Sequence, residues 1–266
     1  MSQSQFPTQL LLPARAAGLS EILDAGVRLF RLSLLACLPW SLLSVLFGQL
    51  PSVYLLRTGQ SLSLTAPKDF TWWILMVIAA MGTLWCWLAI MLRQRSTLAR
   101  QGGLEPRALA ADLRKALQRL PVALGALAAG VLAVALGTLL LVIPGIYLLV
   151  AFWPALALVV FEGCGVRAAL DGSLQLVRGA WRHLAAVLVV VLMALLGLFV
   201  IGNLVGLGIM ELSGGAGATR ALSSSSWVSA LLSALFLPLL IALGLAAYAD
   251  LRHRRDQASS SASSSA

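Results

Sequence analysis

The chain has 266 residues, of which 60% are hydrophobic and only 11% charged, and it carries a formal net charge of +9. Soluble domains hold about 25% charged residues, so this composition excludes a water-covered globule and requires lipid to solvate part of the surface. The basic excess does not point to nucleic acid, because the cations sit in short segments flanking apolar runs, where they set orientation in a membrane.

The first 13 residues are polar and punctuated by proline. Leu10-Leu11-Leu12 is shorter than a signal-peptide core of about 7–15 residues, so no cleaved signal is expected. From Leu19 to Arg31 apolar residues (Leu19, Ile22, Leu23, Val27, Leu29, Phe30) alternate with Glu21, Asp24, Arg28 and Arg31. That spacing predicts an amphipathic helix with Ser20 as its N-cap. It leads into an apolar span at about 32–55, bent or locally opened at Pro39 and Pro51, in which Gln49 is the one strongly polar residue.

A polar loop from Arg57 to Asp69 precedes a second span at about 71–92. Trp72 and Trp73 anchor its start at the interface, Arg93, Arg95 and Arg100 close it, and Gly102-Gly103 breaks the chain. Glu105-Pro106 then marks a helix start, and residues 106–120 are again charged and amphipathic. The run from Leu120 to Phe161 has no charge and is too long for one crossing of about 20 residues. A division at Ile143-Pro144-Gly145 gives spans of about 120–142 and 146–161.

Glu162 returns the chain to water. A third charged segment, with Arg167, Asp171, Arg178 and Arg182, feeds a span at about 183–210. A Gly/Ser-rich loop and a last span at about 227–249 follow, closed by Asp250, Arg252, Arg254 and Arg255. The Ser/Ala tail over 257–266 is low in complexity and expected to be disordered.

The expectation is therefore an all-α integral membrane protein. Residues 1–256 form a single membrane domain of six transmembrane helices, arranged as three repeats of an amphipathic lead-in helix plus a helical hairpin (about 19–93, 104–162 and 163–251). All but Arg57, Lys68 and Arg220 of the 19 Lys and Arg residues fall on the side holding both termini. The positive-inside rule places that side, with both termini, in the cytoplasm.

The lead-ins share a spacing. Asp24, Asp112 and Asp171 are each followed by Leu at five residues and by Arg31, Arg119 and Arg178 at seven. Seven residues are nearly two turns, so Asp and Arg share a face about 10 Å apart, too far to pair within one helix. Two readings follow. The three helices gather into a collar, Asp of one against Arg of the next; or each Asp favours its helix N-terminus while each Arg snorkels to the interface.

Ile143-Pro144-Gly145-Ile146-Tyr147, Glu162-Gly163-Cys164-Gly165, and Ala169-Leu170 with Ser173, Leu176 and Gly179 resemble bacterial six-span membrane proteins. The likeness is to the membrane domain associated with glycerophosphodiester phosphodiesterases and to the related YciC-type proteins of unassigned function. The resemblance implies a membrane module and brings no hydrolase activity, since no stretch is long enough to hold the soluble catalytic domain.

No catalytic motif accompanies it. HExxH, GxSxG and a phosphate-cradling Gly-rich loop do not occur. Cys37, Cys86 and Cys164 lack metal or disulfide spacing, and His183 and His253 read as interfacial. No ionisable group lies deep in a span, as transport would usually leave. Catalytic, cofactor and metal residues are expected to be none. Glu162, a membrane-edge acid with no cation within four residues, is the first residue to mutate. The sequence favours a non-enzymatic scaffold or envelope-maintenance factor with a membrane-protein partner. The alternative is a lipid or small-amphiphile binding or transport protein whose Arg residues meet anionic headgroups.

Overall fold

In lipid, backbone groups must find their partners within the chain, and a run of apolar residues does so as a helix. The computed structural model describes residues 11, 17–59, 69–103, 108–212 and 218–264, and every regular element among them is helical. Seven principal helices follow in order: α1 (Leu19–Thr58), α2 (Phe70–Gln101), α3 (Leu109–Leu140), α4 (Val142–Phe152), α5 (Val166–Val177), α6 (Trp181–Leu212) and α7 (Ala218–Ser264). Between α4 and α5 lie a helical turn at Ala155–Ala157 and a wider turn at Leu158–Glu162. Six segments are long and apolar enough to cross a bilayer, so the chain is a multi-pass membrane protein.

The lead-ins are not alike. The first is fused to its span: α1 runs unbroken for 40 residues through both Pro39 and Pro51. The second is likewise continuous with its span in α3, through Pro121. Only the third stands alone as α5, ended at Arg178 and turned by Gly179 at φ 85°. An amphipathic pattern specifies which face of a helix is buried; it does not say whether the helix continues.

Local starts and stops also differ in detail. The N-cap of α1 is Gly18, whose N–H donates to Glu21 Oε2 at 2.9 Å, and Ser20 sits inside the first turn. Asp69 caps α2 by accepting from the Trp72 N–H at 3.3 Å, and Tyr54 at the end of α1 donates to the same carboxylate. The expected helix start at Glu105-Pro106 lies outside the described residues. α7 is helical as far as Ser264, across most of the Ser/Ala tail.

The long apolar run breaks at Leu141, which is extended (φ −159°, ψ 138°), and Pro144 sits in the first turn of α4. Gly145 makes the turn possible. A Cβ there would lie 2.8 Å from Thr138 Cα and would overlap its Oγ1. Close approach of small residues is the usual contact between helices in lipid.

Glycine sets the other main contacts too. α1 lies between α2 and α7: Gly82 of α2 abuts the Phe47 ring, and Gly26 of α1 abuts Leu243 of α7. α6 packs on the other side of α7. These four helices form the body of the protein. The α3–α4 hairpin joins it through α2 and through Leu158–Phe161, whose side chains are all buried.

Candidate functional site

Glu162 ends the wide turn after α4, where the Gly163 N–H reaches back to Leu158 O at 3.2 Å. It is not a free acid in water. Its Oε1 accepts from Tyr248 Oη at 2.7 Å and from Arg252 Nη1 at 2.7 Å, and Arg252 Nη1 also lies 3.2 Å from Tyr248 Oη. The cation absent from its sequence neighbourhood comes from α7, 90 residues away. Glu162 and Arg252 are 26% and 22% exposed, so the pair is screened from water without being sealed.

The following residues explain the Glu-Gly-Cys-Gly motif. Gly163 is left-handed at φ 74°, which ordinary residues avoid. Arg119 of α3 donates from Nη1 to Gly163 O at 2.9 Å, and its Nη2 lies 2.6 Å from where a Cβ would stand. Gly165 is the N-cap of α5. Ser173 of α5 donates to Ala151 O. That carbonyl lies at the interruption of α4 by Trp153-Pro154, where helical pairing stops.

A second charged cluster was not foreseen from sequence. Asp250 is 1% exposed and accepts from the Ala17 N–H at 2.9 Å and from Arg254 Nε at 2.6 Å. Arg254 Nη2 donates to Ala17 O at 2.8 Å, and His183 Nε2 of α6 stands 3.7 Å from Asp250 Oδ2. The residue before the α1 cap, the start of α6 and the Asp250–Arg254 turn of α7 are thus tied at one level. Asp250 read from sequence as one more terminal charge, because nothing local reveals a partner 233 residues away.

A third cluster joins α2 to α3. Asp112, 1% exposed, accepts from Ser96 Oγ at 2.8 Å and faces Arg93 Nη1 at 3.6 Å. Gln94, fully buried, donates to Pro238 O of α7 at 2.7 Å. Sequence reasoning missed Gln94 because it placed the end of the span at residue 92.

The Asp-to-Arg collar is not what connects these helices. Among the described residues, Asp24, Arg31, Asp171 and Arg178 are exposed, and the recorded ion pairs join Asp112 to Arg93, Glu162 to Arg252, and Asp250 to Arg254 and His183. Asp112 pairs with the end of the preceding span and Arg119 with a carbonyl. α3 and α5 do pack together, whereas α1 packs chiefly against α2 and α7. The shared spacing therefore serves three different surroundings.

Beneath the Glu162 pair lies an apolar cavity of about 530 Å³ walled by α2, α3, α4, α6 and α7. Its depth is formed by buried Ala126, Ala155, Ala157, Val191 and Leu245, while Leu127, Val131, Leu149 and Leu195 at its rim are exposed. It is therefore a groove open sideways to lipid. Among the described residues no group of three His, Cys, Asp or Glu side chains is placed to hold a metal ion. Comparison with protein-family models, curated proteins and solved structures finds no match to this chain.

Proposed function

We propose that this is a non-catalytic protein of a bacterial inner membrane, both termini cytoplasmic, that binds a lipid or small amphiphile between its helices. The observation carrying the reading is the side-opening groove. Its volume of about 530 Å³ falls within the range of about 300–1,000 Å³ for ligand sites, and its apolar lining suits an acyl chain. The cation-rich side supports the orientation, and its exposed Arg178 and Arg182 suit anionic headgroups. Arg119 serves instead to hold Gly163. A place among the glycerophosphodiester phosphodiesterase-associated membrane domains accords with such a module.

The test is mass spectrometry of the protein purified in mild detergent, read for lipids and for protein partners. Ala135→Trp fills the mouth of the groove from an exposed position. Lipid retained by the parent and lost from this variant, with unfolding unchanged, is the expected result. Equal lipid in both proteins overturns the reading. A stable protein partner with no retained lipid returns it to a scaffold.

A further inference from the structure

The geometry points to a middle hairpin, α3–α4, that does not cross the membrane. It lies within the cation-rich leaflet, its apolar surface against that leaflet's acyl chains.

The level of α5 comes first. Glu162, just before it, bonds Tyr248 and Arg252 of α7, and His183, just after it, faces Asp250 of the same helix. These α7 residues fall within about one turn, so the residues flanking α5 on either side, Glu162 and His183, stand at one depth. A 12-residue helix is about 18 Å long, so α5 must lie across α7, in the plane of the membrane. Its charged residues Arg167, Asp171 and Arg178 are exposed, and its Ala169, Ser173, Leu176 and Val177 are buried.

Both arms of the hairpin run alongside that helix. On α3, Arg119 bonds Gly163, a Cβ at Gly125 would lie 2.9 Å from Val166, and one at Gly130 would lie 4.0 Å from Leu170. On α4, Ala151 O receives Ser173, and Tyr147 O accepts from Trp181 Nε1 at 3.4 Å. The Tyr147 and Trp181 rings stack with centroids 5.8 Å apart. Trp181 begins α6 two residues before His183, so Tyr147 is held near the charged layer.

Counting outward from these contacts bounds the tip. Tyr147 to Leu141 is six residues, about 9 Å, and Gly130 to Leu140 is ten, about 15 Å. Even with a side chain's length added, neither arm covers a hydrocarbon core about 30 Å thick. The tip agrees in composition. Leu139, Leu140 and Ile143 are 84%, 79% and 80% exposed, and from Leu139 to Ile146 it offers lipid no polar side chain. The turn between α1 and α2, by contrast, includes Arg57, Lys68 and Asp69. Four helices, α1, α2, α6 and α7, then cross, and the termini still share a side.

Site-directed labelling in vesicles of known orientation tests this on the whole chain. Cys37 and Cys86 are fully buried, so Cys164→Ser alone gives a quiet background. Ile143→Cys is compared with Thr58→Cys, at the exposed far end of α1, using a membrane-impermeant maleimide added on the side opposite the termini. Ile143→Cys is expected to react on the order of tenfold more slowly, because a thiol in hydrocarbon forms little thiolate. A spin label there should collide with oxygen more than with a water-soluble nickel chelate. Leu139→Cys is the second variant should Ile143→Cys fold poorly. Labelling at the tip as fast as at Thr58→Cys overturns the inference, whether or not lipid binds the groove.

Discussion

Glu162→Gln is the most informative single change, because it keeps the shape of the side chain and removes its charge. Glu162 Oε1 holds two hydrogen bonds, each at 2.7 Å, from Tyr248 and Arg252. A hydrogen bond to a charged group contributes about 1.5–3 kcal/mol and a neutral one about 0.5–1.5. Exchanging carboxylate for amide at both bonds therefore costs about 1–3 kcal/mol. The cost stays below the roughly 3–5 kcal/mol of a sealed pair, because Glu162 and Arg252 are 26% and 22% exposed. The assay is reversible unfolding in detergent micelles, run as a double-mutant cycle with Arg252→Gln. Coupling of about 1 kcal/mol or more is expected, above the average of about 0.6 for hydrogen bonds within membranes. If the two single changes add within about 0.3–0.5 kcal/mol, the pair is not coupled and the assignment fails.

Three further changes probe the same framework. Gly163→Ala adds a Cβ in a left-handed conformation, costing about 1–2 kcal/mol, and pushes on Arg119 at 2.6 Å; unfolding should show a loss exceeding that of Arg119→Gln. Gly145→Ala should open the α3–α4 turn, and Thr138→Ala should rescue it only in part, because Thr138 Cα still stands 2.8 Å away; unfolding of the single and double variants reads this out. Asp250→Asn leaves Arg254 without its countercharge and weakens the clasp on Ala17. It should cost about 3 kcal/mol, the low end for a broken buried pair, and speed proteolysis ahead of Gly18.

The sequence located what composition and punctuation control. The apolar runs became helices, and the break expected at Ile143-Pro144-Gly145 fell at Leu141 with Pro144 in the next first turn. Glu162 was legible as an acid with no local partner, and that is why it stood out. Its partner was not legible, because Arg252 arrives through packing of α7. Asp250 and Gln94 were hidden for the same reason: their partners, Ala17 and Pro238, lie 233 and 144 residues away. The shared Asp-to-Arg spacing left two readings open, and the ion pairs described above are not those of a collar. That spacing is a property of helix faces: Asp112 meets α2 and Arg119 meets Gly163, whereas Asp24, Arg31, Asp171 and Arg178 stay exposed.

Length and hydropathy report what a helix can dissolve in, and α3 and the Val142–Glu162 segment that begins with α4 satisfy both for a full crossing. Direction is set elsewhere, by polar contacts that fix depth. Trp181 on Tyr147 O and Ser173 on Ala151 O place the middle of α4 beside a helix whose exposed face carries Arg167, Asp171 and Arg178. Drawing α4 upright across the bilayer would drag those charges toward its centre, at about 2.5–3.5 kcal/mol each on insertion scales, or would break both contacts and leave Ala151 O unpaired in lipid. Laying the hairpin in one leaflet costs neither, and it sets the groove's exposed rim of Leu127, Val131 and Leu149 among the acyl chains of that same leaflet. If an amphiphile binds as proposed, that route would leave its headgroup in the cation-rich leaflet, and its entry would require no passage of charge across the membrane.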